Sequence, residues 1–378
     1  KKGWEGLLGQ RLTVIETVAG SKSGYGGDDG PAREAKLLAP NGLARGTDGT
    51  IYVADSANGR IRAISPAGKI RTVAGGGTAA ASSSLTASAD LLGDGGPATG
   101  AVLQEPRGVL PITFGFLSGI AITEFAGMRL RVVLPDGTLK TLIQGKFSQG
   151  TEDGPIATLK TRVSIHFPSA LLKAPDGAIV LVDTGNNVLR RITIPNPLDP
   201  ESAVIERLAG NYQRRNNLVQ VADGTRATQA PLANPVGACF ASDGTLFITE
   251  LSGHHVVKVS PDGKLYNVAG SGGDVLNGDG GQALQAGMPY PSAVACDDAR
   301  GRILVGNWQA PRIRAVDLKT GVISTIAGGG EQTEDGLAES SSLTDIGGMV
   351  LEPDGNLLFT DSQSGRVRRL WLADPPGN

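Results

Sequence analysis

Apolar residues along this chain come in short β-branched runs instead of helical stripes, and the runs recur in a fixed order. One run closes on Ala-Gly or a near variant: Thr17-Val18-Ala19-Gly20, Thr72-Val73-Ala74-Gly75, Leu142-Ile143-Gln144-Gly145, Leu208-Ala209-Gly210, Val268-Ala269-Gly270 and Ile326-Ala327-Gly328. A Gly/Asp segment follows it, as in Gly27-Asp28-Asp29-Gly30-Pro31-Ala32 and Gly93-Asp94-Gly95-Gly96-Pro97-Ala98. Next comes a run opened by proline, such as Pro40-Asn41-Gly42-Leu43-Ala44 or Pro235-Val236-Gly237-Ala238. A second run ends in an acid or amide: Ile51 to Asp55, Ile120 to Glu124, Val180 to Asp183, Leu246 to Glu250, Ile303 to Asn307 and Leu357 to Asp361. A third alternates base and aliphatic, as in Arg60-Ile61-Arg62-Ala63-Ile64 and Arg366-Val367-Arg368-Arg369-Leu370. Period-two alternation and β-branched content predict strands. Turns such as Pro135-Asp136-Gly137 and Pro261-Asp262-Gly263 separate them, because Pro presets one turn dihedral and Gly supplies positive φ.

Four strands repeated six times at a period of about 60 residues predict an all-β, six-bladed β-propeller of four-stranded antiparallel blades. The last unit stops after its third strand, Arg366 to Leu372, whereas one Ala-Gly strand, Leu12 to Gly20, stands alone at the start. The two should pair and close the ring. The expected organisation is an N-terminal extension over 1–11, the propeller over 12–372 and a tail over 373–378. Irregular insertions fall at Gly76 to Leu92, Pro195 to Ser202 and Asn211 to Val221. The Ala/Ser-rich stretch Ala79 to Ser88 is expected to project as a loop.

Among 378 residues, 55 Gly and 22 Pro punctuate hairpins, and 40% hydrophobic content can fill one compact ring. A formal net charge of −2 argues against nucleic acid as a partner. Val109 to Met128 is apolar enough to suggest a membrane span, but its register matches a strand hairpin and Pro111, Gly115 and Gly119 oppose a continuous helix. Lys1-Lys2-Gly3-Trp4 carries no apolar signal core. Cys239 and Cys296 lie four and five residues after their prolines, and this opposite parity predicts two buried thiols rather than a disulfide.

The order Val-Ala-Gly, Gly-Asp-Gly-Gly-Pro-Ala, Pro-x-Gly, Ile-Tyr-Val-Ala-Asp-Ser, Arg-Ile-Arg resembles the NHL-repeat propellers, most closely over Gly27 to Gly75, and the likeness extends over residues 12–372. The family includes scaffolds, sensors, RNA binders and lyases, so the resemblance implies fold and not function. The Gly-Asp-Gly-Gly-Pro-Ala style is similar to that of secreted bacterial members, which implies a periplasmic or secreted protein whose signal peptide is absent from this chain.

Recurring features point to architecture. The Gly/Asp segments could cradle a phosphate or calcium, but six copies without a nucleotide-binding helix read as loops between blades. Asp55, Asp183 and Asp361 with Arg60 and Arg366 read as intrablade pairs. Departures from the repeat are the functional candidates: Glu105, Arg107, Glu124, His166, Asn234, Glu250, Tyr290, Asn307 and Trp308, all near the start of a first strand or the end of a second, where a propeller brings residues to its channel mouth. Asp345, His254 and His255 lie nearby. Glu105, Glu124, His166, Asn234 and Glu250 have donor chemistry suited to calcium or zinc, and lactonase-like propellers hold calcium in this way. The NHL lyases place histidines on separate blades; with three His, two of them adjacent, this chain does not reproduce that pattern. No Gly-x-Ser-x-Gly elbow occurs. The expectation is a non-catalytic binding or scaffold propeller for a protein, glycan or small ligand. The alternative is a metal-dependent lyase or hydrolase at the channel.

Overall fold

A computed structural model describes residues 13–77, 92–114, 117–145, 152–159, 164–196, 199, 202–215 and 220–372. Six antiparallel sheets of four or five strands form six blades. From the innermost strand outward, blade one is Pro40–Arg45, Ile51–Asp55, Arg60–Ile64 and Ile70–Ala74. Blades two to five repeat this order from Pro106, Pro168, Pro235 and Pro291. Blade six is Ile346–Leu351, Leu357–Asp361, Arg366–Trp371 and, from the other end of the chain, Val14–Ala19. That last strand runs antiparallel to Arg366–Trp371, with Ile15 opposite Leu370. Among the described residues helix is confined to single turns, such as Ile156–Leu159, and none is long and apolar enough to cross a membrane. The hairpin joining Pro106–Phe114 to Leu117–Glu124 extends blade two. Ala79 to Ser88 lies outside the described residues.

The hydrophobic core is divided among the junctions between blades. Val109 and Ile122 of blade two pack with Ala54 and Ile61 of blade one, while Leu130 of blade two packs with Leu181 and Ile205 of blade three. The same division continues round to Val53 of blade one against Leu358 and Val367 of blade six. Alternation within each strand explains it, because each blade buries both faces against different neighbours.

The Gly/Asp segments guard the outer edges. Each comes from the preceding turn of the chain and bridges the outermost strand: Pro31 to Lys69, Pro97 to Thr138, Gly154 to Ile205, Thr225 to Leu265, Gln282 to Val322 and Gly336 to Ile15. Its Asp then reaches inward. Asp28 accepts from Arg62 at 2.8 Å and from the Thr72 hydroxyl at 2.8 Å; Asp94 does the same with Arg131 and Thr141, and Asp279 with Arg314 and Thr325. The segments thus cover strand edges that would otherwise recruit another chain.

One expectation is corrected. Cys239 and Cys296 form a disulfide, with Cα atoms 5.9 Å apart. Parity misleads here because the cysteines sit on the inner strands of adjacent blades, four and five, and not within one sheet. Neighbouring blades meet opposite face to opposite face, so residues of opposite parity look at each other.

Candidate functional site

The inner strands surround a central channel, lined at the position after each strand's first residue by Asn41, Arg107, Ser169, Val236, Ser292 and Gly347. The room it leaves for water-sized groups is about 70 Å³. The next position is small in every blade, and the reason is contact between backbones. A Cβ added to Gly42 would lie 2.2 Å from the Arg107 carbonyl oxygen, and one on Gly108 would lie 2.7 Å from that of Ser169.

Hydroxyls stitch five of the six blade junctions through main-chain carbonyls. Ser56 of blade one donates to Pro106 O at 2.6 Å, and Thr123 of blade two to Ser169 O at 2.9 Å. Thr184 of blade three donates to Pro235 O at 2.7 Å, Ser292 of blade five to Ile346 O at 2.6 Å, and Ser362 of blade six to Pro40 O at 2.6 Å. Between blades four and five no such bond occurs among the described residues, and Thr249 instead donates to Gly237 of its own blade. The disulfide joins that junction.

Acids at the ends of the second strands form a buried structural layer. Asp55, Asp183 and Asp361 accept from the backbone N–H groups of Leu38, His166 and Thr344, at 2.7, 2.7 and 2.8 Å. Each also pairs with a buried arginine of its own third strand: Arg62, Arg190 and Arg368. Glu124 and Glu250 occupy the same slot and are fully buried. Glu124 accepts from Gln104 N at 3.2 Å, Arg131 at 3.1 Å and Arg129 at 3.4 Å. Glu250 accepts from Ala233 N at 2.8 Å and from Arg215. Burial pushes both carboxyls above the ordinary range, while their arginines pull back. Asn307, also buried, donates to Pro289 O. None of these three lines the channel.

The remaining candidates gather at the mouth. Glu105, Phe167, Asn234 and Tyr290 immediately precede inner-strand prolines with φ of 53°, 47°, 59° and 44°, a left-handed conformation costing about 1 kcal/mol or more for such residues. Neighbouring chain holds the turn: Phe125, Leu251 and Trp308 donate their N–H groups to the carbonyls of Glu105, Asn234 and Tyr290. The result is an incomplete aromatic rim. At the blade two–three junction Phe125 and Phe167 lie 5.0 Å apart, with His166 4.4 Å from Phe167. The Arg107 guanidinium lies 3.4 Å above the Phe125 ring and donates twice to Glu105, at 3.0 and 2.6 Å. At the four–five junction Tyr290 stands edge-on to Trp308 at 6.0 Å and to His254 at 4.7 Å. His254 Nδ1 accepts from Tyr290 N, and burial lowers that imidazole's pKa. Trp308 is 42% exposed.

The nine candidates therefore separate. Arg107, Glu105, His166, Asn234, Tyr290 and Trp308 stand at or beside the mouth, whereas Glu124, Glu250 and Asn307 are locked between strands. Sequence reasoning passed over Phe125; the signal was a large apolar residue where blades one, three and six carry Ser56, Thr184 and Ser362. Among the described residues, no group of three or more His, Cys, Asp or Glu side chains is arranged to hold a metal ion. The five donors considered for calcium or zinc do not converge.

A model of the Teneurin NHL domain matches residues 16–65, the stretch that builds the closing strand and most of blade one. NHL repeat-containing protein 2 of Bos taurus is 29% identical over 179 residues, 43% of this chain and 23% of the relative. The chain is an NHL-repeat β-propeller. Teneurin-1 of Homo sapiens is 23% identical over 381 residues, covering 82% of this propeller but 13% of its own length. The propeller thus spans less than a quarter of either relative. Among solved structures, an auxiliary nutrient binding protein from Bacteroides thetaiotaomicron superposes with a TM-score of 0.64 at 13% identity, over 96% of this chain and 77% of that one. A virginiamycin B lyase from Staphylococcus aureus does so at 0.52 and 17%, over 91% and 85%. At these identities the likeness shows the fold alone.

Proposed function

We propose that this propeller is a non-catalytic binding protein whose ligand docks on the channel mouth, outside the cytoplasm. The observation that carries the reading is the incomplete rim. Only 4% of the chain is aromatic, yet Phe125 pairs with Phe167 at one blade junction and Tyr290 with Trp308 at another, both beside the starts of inner strands, with Phe167 and Tyr290 on backbone held in an unfavourable conformation. Aromatic groups with a few fixed polar neighbours are the usual lining of ligand sites. The likeness to a nutrient binding protein agrees with this. A metal site that drew on Glu124 or Glu250 would have to break their buried ion pairs with Arg129 and Arg131 and with Arg215. The Cys239–Cys296 bridge supports an oxidising compartment such as the periplasm or cell exterior.

The test is a thermal-shift screen of saccharides, amino acids and nucleosides on the wild type and on Trp308→Ala and Phe167→Ala. Hits should stabilise the wild type and lose their effect in both variants. Hits that stabilise all three proteins equally would place the ligand elsewhere and end the reading.

A further inference from the structure

We infer that a second site, a polar cleft at the seam where the two ends of the chain close the ring, binds the phosphate group of a small phosphate monoester. It is independent of the channel-mouth reading. Three pieces of chain wall the cleft: Lys22, just after the closing strand; Thr333 and Glu334, on the Gly/Asp segment of blade six; and Ser342, Ser364 and Arg366 of blade six itself. It shares no lining residue with the channel and leaves about 360 Å³ for water-sized groups, against about 70 Å³ there. Every side chain that lines it is polar.

A departure from the repeat keeps the cleft open. Arg366 lies opposite Asp361 as Arg60 lies opposite Asp55 in blade one. In blade one the Tyr25 ring lies 4.0 Å from the Arg60 guanidinium, and the chain passes close by at Gly76, where an added Cβ would be 3.8 Å from Arg60 Nη2. In blade six Ser21 follows the Ala-Gly of the closing strand where Gly76 follows that of blade one, and among the described residues no ring covers Arg366. Arg366 therefore borders open polar space where Arg60 meets an aromatic face.

Charge selects the ligand. Asp361 is buried and spent on Thr344 and Arg368, so the accessible charges are Lys22, Arg366 and Glu334. Lys22 is exposed, and among the described residues neither its ammonium nor the hydroxyls of Thr333 and Ser342 have a partner. Arg366 donates from Nη1 to Thr333 O at 2.7 Å and from Nη2 to Glu334 at 3.2 Å, which leaves its Nε–H uncommitted. Glu334 is 75% exposed, and so exposed a pair contributes little and yields to a doubly charged oxyanion. A metal cation would meet two positive charges against one negative. The three terminal oxygens of a phosphate accept in three directions, which suits one cation from each side of the seam and the free hydroxyls between them better than the two oxygens of a carboxylate do. The room exceeds one phosphate group, and Ser23 and Ser364 line the remainder, so the ligand carries a small polar group on its ester oxygen. Once bound, it ties the chain that follows Val14–Ala19 to blade six.

Phosphate also stabilises proteins by exclusion from their surface, so binding has to be read by calorimetry and not by melting. The propeller is titrated with glucose 6-phosphate, phosphoserine and inorganic phosphate, and with glucose and serine as the parents that lack the group, at constant ionic strength. At least one ester is expected to bind saturably at about millimolar or tighter, inorganic phosphate more weakly, and glucose and serine not at all. Lys22→Ala should weaken the ester about tenfold and Ser342→Ala about threefold to fivefold. Glu334→Gln removes the competitor for Arg366 and should tighten it about threefold, a gain that a damaged fold would not give. Lys319→Ala, an exposed base outside the cleft, should change nothing. Amide exchange across Val14–Ala19 should slow when the ester is present. No saturable binding up to about 10 mM, an affinity unmoved by Lys22→Ala or lowered by Glu334→Gln, or glucose binding as well as its phosphate overturns the site. Inorganic phosphate binding as tightly as both esters overturns the monoester assignment.

Discussion

Arg215, carried on the insertion between blades three and four, is the partner of the buried Glu250. In most blades the third strand supplies an arginine to the buried acid, but blade four has His255 and Val257 where blade one has Arg60 and Arg62. The insertion brings in the missing cation. Removing one member of a buried pair costs about 3–5 kcal/mol because the other charge is left stranded. Arg215→Ala should therefore lower unfolding stability by about that much, and adding Glu250→Gln should recover a good part of it. Urea unfolding of the wild type, the single variant and the double variant measures both, and additive losses would show that the pair is not coupled.

His255 sets a pH dependence. Burial, then the neighbouring Arg215 charge, lowers its pKa from 6.5 to about 4, with a backbone contact to Gly253 opposing and His254 adding to the depression. The unfolded chain takes up a proton near 6.5 that the folded chain refuses until about 4. Stability contributed by the neutral imidazole is complete above 6.5, falls as pH drops through that window and levels off below it. His255→Leu should flatten this segment of a urea-midpoint profile, and an unchanged slope would assign the titration to another group.

The bridge between blades four and five should be detectable without a structure. Intact protein purified without reductant is expected to weigh two hydrogens less than the sequence mass and to react with a thiol reagent only after reduction. Closing a 57-residue separation stabilises by roughly 2–4 kcal/mol, so Cys239→Ser should move the urea midpoint down by a corresponding amount. Free thiols in the oxidised preparation would count against the pairing.

Ring closure depends on the strand Val14–Ala19. Its Glu16 accepts from Trp371 Nε1 at 3.0 Å, and its Thr17 hydroxyl donates to Asp335 at 2.6 Å. Deleting residues 1–20 should leave Arg366–Trp371 as an open edge and turn a monodisperse sample into aggregates on size exclusion. A truncated chain that elutes unchanged and melts at the wild-type temperature would refute this role.

The blade architecture was legible because it is written many times over, so that a weak signal at one strand is reinforced by its copies. The same redundancy identified Asp55, Asp183 and Asp361 as structural. It misled at Glu124, Glu250 and Asn307, which looked functional because they differ from those three. Their environments adjust to the difference: Glu124 gains a second arginine, Glu250 borrows Arg215 from an insertion, and Asn307 stands in a blade whose Arg314 pairs outward with Asp279. Such compensation joins residues far apart in sequence and leaves no local pattern. The disulfide was hidden for a related reason, since strand parity describes neighbours within a sheet and not the meeting of two blades. Arg107 against Phe125 depends on how two adjacent strands end, which no periodicity encodes.

The seams between blades are fastened by hydroxyls to carbonyl oxygens, as in Ser56 to Pro106 and Ser362 to Pro40. A carbonyl is present whatever side chain its residue bears. The receiving half of each fastening is therefore indifferent to substitution, and channel and entrance residues that donate no such bond, unlike Ser292, can be exchanged without loosening the ring. Assembly and recognition become separately mutable, which makes the entrance a natural place to graft new specificity onto an unaltered frame.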